Sequence, residues 1–178
     1  MFFWITNIVL LSIIIFLFLL LSMFWPPDSP WAPWWTTSDA KIRESFKLAK
    51  VTKKDIVYDL GCGDGRTLII AAKEFGARGV GIEIDPLRFF ISSMLLHSNG
   101  LSDRVKIIKG NFYDVNISKA SVVFVYLVPR VLEKLKPKFL KELKPGTLLV
   151  SYRYKISLPL SSYDKKNDIY LYKIPVRS

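Results

Sequence analysis

The sequence predicts an α/β fold: a mostly parallel sheet with helices on both faces, preceded by one transmembrane helix. Three observations predict it. Short apolar runs of strand length alternate with helical stretches, which is the pattern of βαβ units. The runs are almost continuously apolar, as strands covered on both faces are. A loop with three alternating glycines, Gly61, Gly63 and Gly65, stands between the first run and the helix after it. Open α/β sheets bind their ligands at such strand ends.

The first element is the apolar one. Phe2 to Trp25 contains no charged residue, only Thr6, Asn7, Ser12 and Ser22 among apolar side chains. At about 1.5 Å per residue such a helix spans the roughly 30 Å hydrocarbon core. No basic residue precedes the run and no small-residue cleavage site follows it, which favours a retained anchor over a signal peptide. The formal net charge of +11 lies wholly beyond it. Lys41, Arg43, Lys47, Lys50, Lys53 and Lys54 follow the run and no basic residue precedes it, so the positive-inside rule places the remainder in the cytoplasm. The expected organisation is a single-pass membrane protein: an anchor over 1–25, a Pro- and Trp-rich juxtamembrane linker over 26–37, and a folded domain over 38–178. Trp31, Trp34 and Trp35 suit either the membrane interface or the cover of a cleft. The single cysteine, Cys62, excludes an internal disulfide framework and a cysteine-rich metal site, and no metal is expected.

Ser38 is placed to cap a helix carrying Ile42, Phe46 and Ala49 on one stripe. "DIVYDL" is the first strand, and "RTLIIAAKEFG" a helix closing on Gly76. "RGVGIEI" is the second strand. "DPLRFFISSMLLHSNG" is a helix with Asp85 as cap and Pro86 in its first turn. "RVKIIKG" and "ASVVFVYL" are the third and fourth strands. "PRVLEKLKPKFLKELKPG" reads as a helix in two pieces, interrupted at Pro137, and its lysines as a solvated amphipathic face. "TLLVSYRYKI" is the fifth strand. "DIYLYKIPV" is the last, antiparallel and at or near an edge, because no helix intervenes.

The glycine loop carries the chemistry. A bare strand-to-helix turn needs one glycine, so three point to a ligand approached closely by backbone amides. The dinucleotide fingerprint needs Gly or Ala at position 66, where Arg66 stands, and a P-loop needs a Lys-Ser/Thr pair that is missing. Asp59 and Asp64 flank the loop, which suits a cationic head better than a pyrophosphate. S-adenosylmethionine, with its sulfonium and ammonium, fits that charge. Glu83 at the end of the second strand is placed to accept ribose hydroxyls, and Asp85 is the cap of the next helix.

"DLGCGDGR", "GVGIEID" and "KGNF", in that order, resemble the class I S-adenosylmethionine-dependent methyltransferases, whose fold is Rossmann-like. "DIVYDLGCGDGR", "IIKGNFYDVNISKASVV" and "LKPKFLKELKPGTLLVS" are similar to the small archaeal protein lysine methyltransferases and to the mitochondrial enzymes acting on the ATP synthase c subunit. The resemblance covers about residues 38 to 175. It implies S-adenosyl-L-methionine as cofactor, held by Asp59, Gly61, Cys62, Gly63, Asp64, Gly65, Glu83, Asn111 and Phe112, the last two beside the adenine. The family's short Pro-Thr-Pro segment is replaced here by "WWTTSDA", where Thr36 and Thr37 stand in the corresponding place.

Methyl transfer from a sulfonium needs alignment and water exclusion rather than a metal. Tyr126, at the end of the fourth strand, is the candidate catalytic residue, placed to position an amine by its hydroxyl or ring face. Tyr152 and Arg153 are candidates for the acceptor side, and His97 reads as structural. The "LVPR" that follows Tyr126 departs from the Asn/Asp-Pro-Pro-Tyr/Phe signature of adenine- or glutamine-methylating enzymes. The expected partner is a lysine-bearing protein, membrane-associated if the anchor holds. A lipid or quinone acceptor and a non-catalytic cofactor-binding protein remain as alternatives. Nucleic acid is disfavoured for want of an RNA-binding module, and the oligomeric state stays open.

Overall fold

A computed structural model describes residues 2–24 and 35–176, with side chains described over 4–20 and 35–176. Most of the expected linker, with Trp31 and Trp34, lies outside the described residues. Helix α1, Phe2–Phe24, forms where the anchor is expected, with its described side chains exposed. However, among the described residues no helix is long and apolar enough to cross a membrane. The expectations of a transmembrane anchor, of a single-pass membrane location and of a cytoplasm-facing domain are corrected on that ground.

The remaining elements are α2 (Asp39–Leu48), β1 (Ile56–Leu60), α3 (Arg66–Phe75), β2 (Arg78–Glu83), α4 (Pro86–Ser98), β3 (Val105–Lys109), β4 (Val122–Val125), α5 (Pro129–Glu142), β5 (Leu148–Tyr152), β6 (Leu160–Asp164) and β7 (Ile169–Lys173). They form one seven-stranded sheet in the order β3-β2-β1-β4-β5-β7-β6. The first five positions are parallel; β7 pairs antiparallel with both β5 and β6.

Both faces are covered, which is why the strands read as unbroken apolar runs. Along β4, Val122 and Phe124 join one core with Ile42 and Phe46 of α2 and Leu68 and Ala71 of α3. Val123 and Val125 join the other with Val131, Leu132, Leu135 and Phe139 of α5. The side-chain period of two sends neighbours to opposite faces.

The last strand, β7, is antiparallel and near an edge as expected, but the structure departs from the sequence reading at two places. Helix α5 runs unbroken through Pro137. Proline removes one i→i−4 hydrogen bond, but four buried apolar residues on one stripe keep the halves on the same core. Strand β6 is the second departure. "LSSYD" is largely exposed, with a register shift between Leu160 and Ser162, so its only signature is pairing with β7. It takes the edge, leaving β7 second from it. Elsewhere the local chemistry is as read. The Asp85 carboxylate accepts from the Arg88 amide at 2.8 Å, and Gly76 closes α3 at φ 71°. Ser38 stands at the N-cap of α2 without a side-chain cap bond.

Gly81 shows how tightly the first core seats the loop. A Cβ there would lie 2.6 Å from Cys62 Sγ, 2.7 Å from Ile107 Cδ1 and 2.8 Å from Leu68 Cδ1. Overpacking of this kind costs about 1–3 kcal/mol. Gly81→Ala should therefore lower the stability read from urea unfolding by that amount with no change in slope; an unchanged midpoint would mean that the loop and α3 shift without resistance.

Candidate active site

The strand order reverses between β1 and β4, so the chain leaves their carboxyl ends in diverging directions and opens a crevice. A cleft lies there with a cavity volume of about 40 Å³, room for a few waters and so for the reacting end of a larger molecule. Its lining comes from three places: Asp59 with the glycine loop and the first turn of α3, the segment Trp35–Thr37, and Phe124 with Tyr126.

Gly61, Gly63 and Gly65 have φ of 81°, 57° and 78°, the left-handed region that glycine enters without a Cβ penalty. This folds the loop back over the end of β2. The amides of Gly61 and Cys62 donate to the Ile82 carbonyl at 2.9 and 3.1 Å, the Gly65 amide to the Cys62 carbonyl at 2.9 Å, and the Gly63 amide to the Glu83 carboxylate at 2.8 Å. These amides are therefore not presented to a ligand as the sequence suggests. A phosphate nest needs free N–H groups, so this is a stronger argument against pyrophosphate than Arg66 alone.

The carboxylates divide into two kinds. Asp64 is clamped by Arg66, whose Nε and Nη2 lie 2.9 and 2.5 Å from one carboxylate oxygen, so its charge is largely answered inside the protein. Asp59 is buried, and desolvation pushes its carboxyl up to about 7; a hydrogen bond from Thr67 opposes the shift, while Glu83 and Asp64 add to it. Glu83, also buried, is raised by desolvation and partly held down by its bonds from the Asp85 and Gly63 amides. Each of its oxygens accepts one amide, which leaves lone pairs for a further donor. Burial likewise lifts the Cys62 thiol well above its ordinary value, which leaves it a small packed group against Gly81 rather than a nucleophile. Two buried carboxyls raised by desolvation suit a cationic ligand, whose charge would favour their ionised forms.

Asn111 follows β3, tied to the end of β2 by the bond from the Gly110 amide to the Glu83 carbonyl. Its Oδ1 caps a turn by accepting from the Tyr113 amide at 3.0 Å. Phe112 packs on the second core and meets the Tyr113 ring at 4.8 Å. The structure thus groups Asp59, Gly61, Cys62, Gly63, Asp64 and Tyr126 on one cleft, sets Glu83 behind the loop and Gly65 at the start of α3, and leaves Asn111 and Phe112 outside the cleft lining. His97 is exposed near the end of α4, away from it. Thr67 is the residue that sequence reasoning misses. A threonine in the first turn after the glycine loop is the available signal. Trp35, Thr36 and Thr37 line the cleft, with Thr37 buried and Trp35 half-exposed.

A Rossmann-like sheet, a cleft at its switch point and carboxyls poised for a cation define the class of S-adenosylmethionine-dependent methyltransferases. Known proteins agree. Residues 59–159 match the model of the ANTKMT methyltransferase domain. The chain is 42% identical, over 85% of its length and 98% of the other, to a protein-lysine N-methyltransferase of Saccharolobus islandicus. It is 28% identical over 70% of its length to an ATP synthase c-subunit lysine N-methyltransferase of Xenopus laevis, of which it spans 53%. Among solved structures, an RNA methyltransferase of Salinibacter ruber in complex with S-adenosyl-L-homocysteine superposes with a TM-score of 0.78 at 37% identity, covering 81% of this chain and 96% of that one. The chain belongs to the ANTKMT methyltransferase family, and it is an S-adenosylmethionine-dependent enzyme.

Proposed function

We propose that this methyltransferase modifies lysine side chains of proteins. The observation that carries the reading is the 42% identity to a protein-lysine N-methyltransferase over nearly the whole of that relative. The cleft suits it. When bound, S-adenosylmethionine supplies a methyl group to which the amine lone pair forms an N–C bond, the C–S bond breaking with its electron pair left on sulfur. Asp59, beside the glycine loop that Glu83 braces, holds the cofactor's cationic end, and Glu83 accepts from its ribose hydroxyls. Asn111 and Phe112 lie toward its base. Tyr126 aligns the acceptor. A lysine amine is protonated at neutral pH, with an ordinary pKa of about 10.4, so its proton must leave before the lone pair attacks, either because desolvation favours the neutral form or by escape to water.

Incubating the enzyme with labelled S-adenosylmethionine and fractionated cell extract should put label in protein, and mass spectrometry should place it on lysine. Label confined to RNA would instead make this basic chain an RNA methyltransferase like the Salinibacter protein, and label confined to lipid extract would point to an apolar small acceptor. Either result overturns the lysine reading.

A further inference from the structure

Tyr126 stands among three other aromatic rings drawn from distant parts of the chain. Tyr152 meets it edge-on at 4.8 Å and 63°. Tyr154 lies nearly parallel to it at 6.2 Å and 19°. Trp35 lies 6.2 Å away at 37°. Trp35 and Tyr126 line the cleft; Tyr152 and Tyr154 stand against Tyr126 and not in the lining. The backbone is bent to achieve this. Arg153, between the two tyrosines, has φ 70°, and the Tyr154 amide donates back to the Tyr152 carbonyl at 2.9 Å. That is a γ-turn with a left-handed central residue, a rare and strained form. A non-glycine residue held there costs on the order of 1–3 kcal/mol and persists only where its surroundings fix it. One such fixing bond is visible: the Arg153 amide donates to the Asp168 carbonyl at 2.7 Å. The turn sets both tyrosine rings against Tyr126, and the Arg153 guanidinium lies at the Tyr126 hydroxyl, 3.5 Å away.

We propose that Trp35 and Tyr126 form a cation–π wall that binds the acceptor's alkylammonium group, with Tyr152 and Tyr154 as positioning residues that fix the Tyr126 ring. The inference rests on the reading of the acceptor as lysine and names how that site recognises it. The charged alternatives in the cleft are engaged elsewhere: Asp64 is paired with Arg66, and Asp59 belongs with the cofactor's own cation. Apart from the glycine loop with Cys62 and the paired Arg66, the lining then offers the hydroxyls of Thr36, Thr37 and Thr67 and the ring surface of Trp35, Phe124 and Tyr126, and of these the rings are what attract a cation. Ring faces attract ammonium groups, Trp most strongly, and favour those that shed water readily. A methylated lysine is less hydrated than an unmodified one, so it should sit better against the wall. The half-exposed position of Trp35 keeps the acceptor within reach of solvent, where its proton can leave.

The test uses the full chain loaded with S-adenosyl-L-homocysteine and two short peptides. One carries trimethyl-lysine; the other carries its neutral carbon isostere, in which the quaternary nitrogen is replaced by carbon. By calorimetry the cation should bind about 2- to 30-fold more tightly than the isostere. The ratio should persist in Tyr126→Phe and fall to near unity in Trp35→Leu and Tyr126→Leu, each saturated with S-adenosyl-L-homocysteine. Circular dichroism checks the fold of each variant, and Trp35→Leu removes a half-exposed ring that no core depends on. Equal binding of the two peptides by the wild type, binding of neither, or a ratio that survives both leucine variants overturns the wall. Failure of the lysine reading is distinct, since it shows as the absence of methyl-lysine in labelled protein.

Discussion

Asp59→Ala should abolish cofactor binding measurable by calorimetry while leaving the far-ultraviolet circular dichroism unchanged. The carboxylate is buried at the end of β1, and truncating one partner of a desolvated charge pair costs about 2–5 kcal/mol. That is a loss of at least about 30-fold in affinity. The unliganded fold should tolerate the change, because the side chain removed is a carboxyl whose burial is itself unfavourable. Gly61→Val should weaken binding as severely for a different reason. A Cβ at Gly61 would meet only Leu127 Cδ2 at 3.6 Å, an ordinary contact, so the space is there. The backbone is the obstacle: φ is 81°, where a β-branched residue is a genuine outlier. Relief would pull the Gly61 and Cys62 amides from the Ile82 carbonyl and move the loop that carries them. The two variants therefore separate charge from shape. Asp59→Asn should recover part of the shape and none of the charge. Undiminished affinity in both Asp59→Ala and Gly61→Val would place the cofactor elsewhere.

The features legible in the sequence are those governed by local chemistry. "DIVYDL", "RGVGIEI" and "ASVVFVYL" read as buried strands because two covered faces demand unbroken apolar runs. The glycine loop reads as a ligand site because three left-handed residues serve no ordinary turn. What escapes is non-local. β6 has no pattern of its own and exists because β7 offers it an edge. Pro137 would end an isolated helix, but the buried stripe from Val131 to Phe139 overrides it. The ring cluster draws on positions 35, 126, 152 and 154, which share nothing until β5 is laid beside β4. The loop amides look available from the glycines alone; only the fold shows that Ile82 and Glu83 already use them. The apolar run at the start reads as an anchor from its uniform composition, yet among the described residues no helix is long and apolar enough to cross a membrane.

Cofactor affinity should rise with pH and level off above about 7. In the unliganded fold, burial raises the Asp59 carboxyl from 3.8 to about 7, and Glu83 is raised in the same direction. A carboxyl whose folded value is raised binds its proton more tightly in the folded state. The stability it contributes is present in full below its ordinary value and is lost as pH rises through about 7. A rise of that size in Asp59 corresponds to about 4 kcal/mol. Asp59→Asn, which cannot ionise, should remove most of this decline, so the unliganded variant should outlast the wild type in urea above about pH 7 and lose that advantage near pH 4. Binding runs the opposite way. A sulfonium and an ammonium arriving beside Asp59 favour its ionised form, so the proton must leave, and below about pH 7 affinity should fall by up to about tenfold per pH unit. Calorimetry in buffers of differing ionisation enthalpy should register that released proton directly. S-adenosyl-L-homocysteine retains the ammonium and lacks the sulfonium, so its affinity should depend less steeply on pH. Affinity for S-adenosylmethionine that stays flat from about pH 5 to about pH 9, or a pH profile that survives in Asp59→Asn, would mean that the cation is held by another group and that Asp59 only shapes the end of β1.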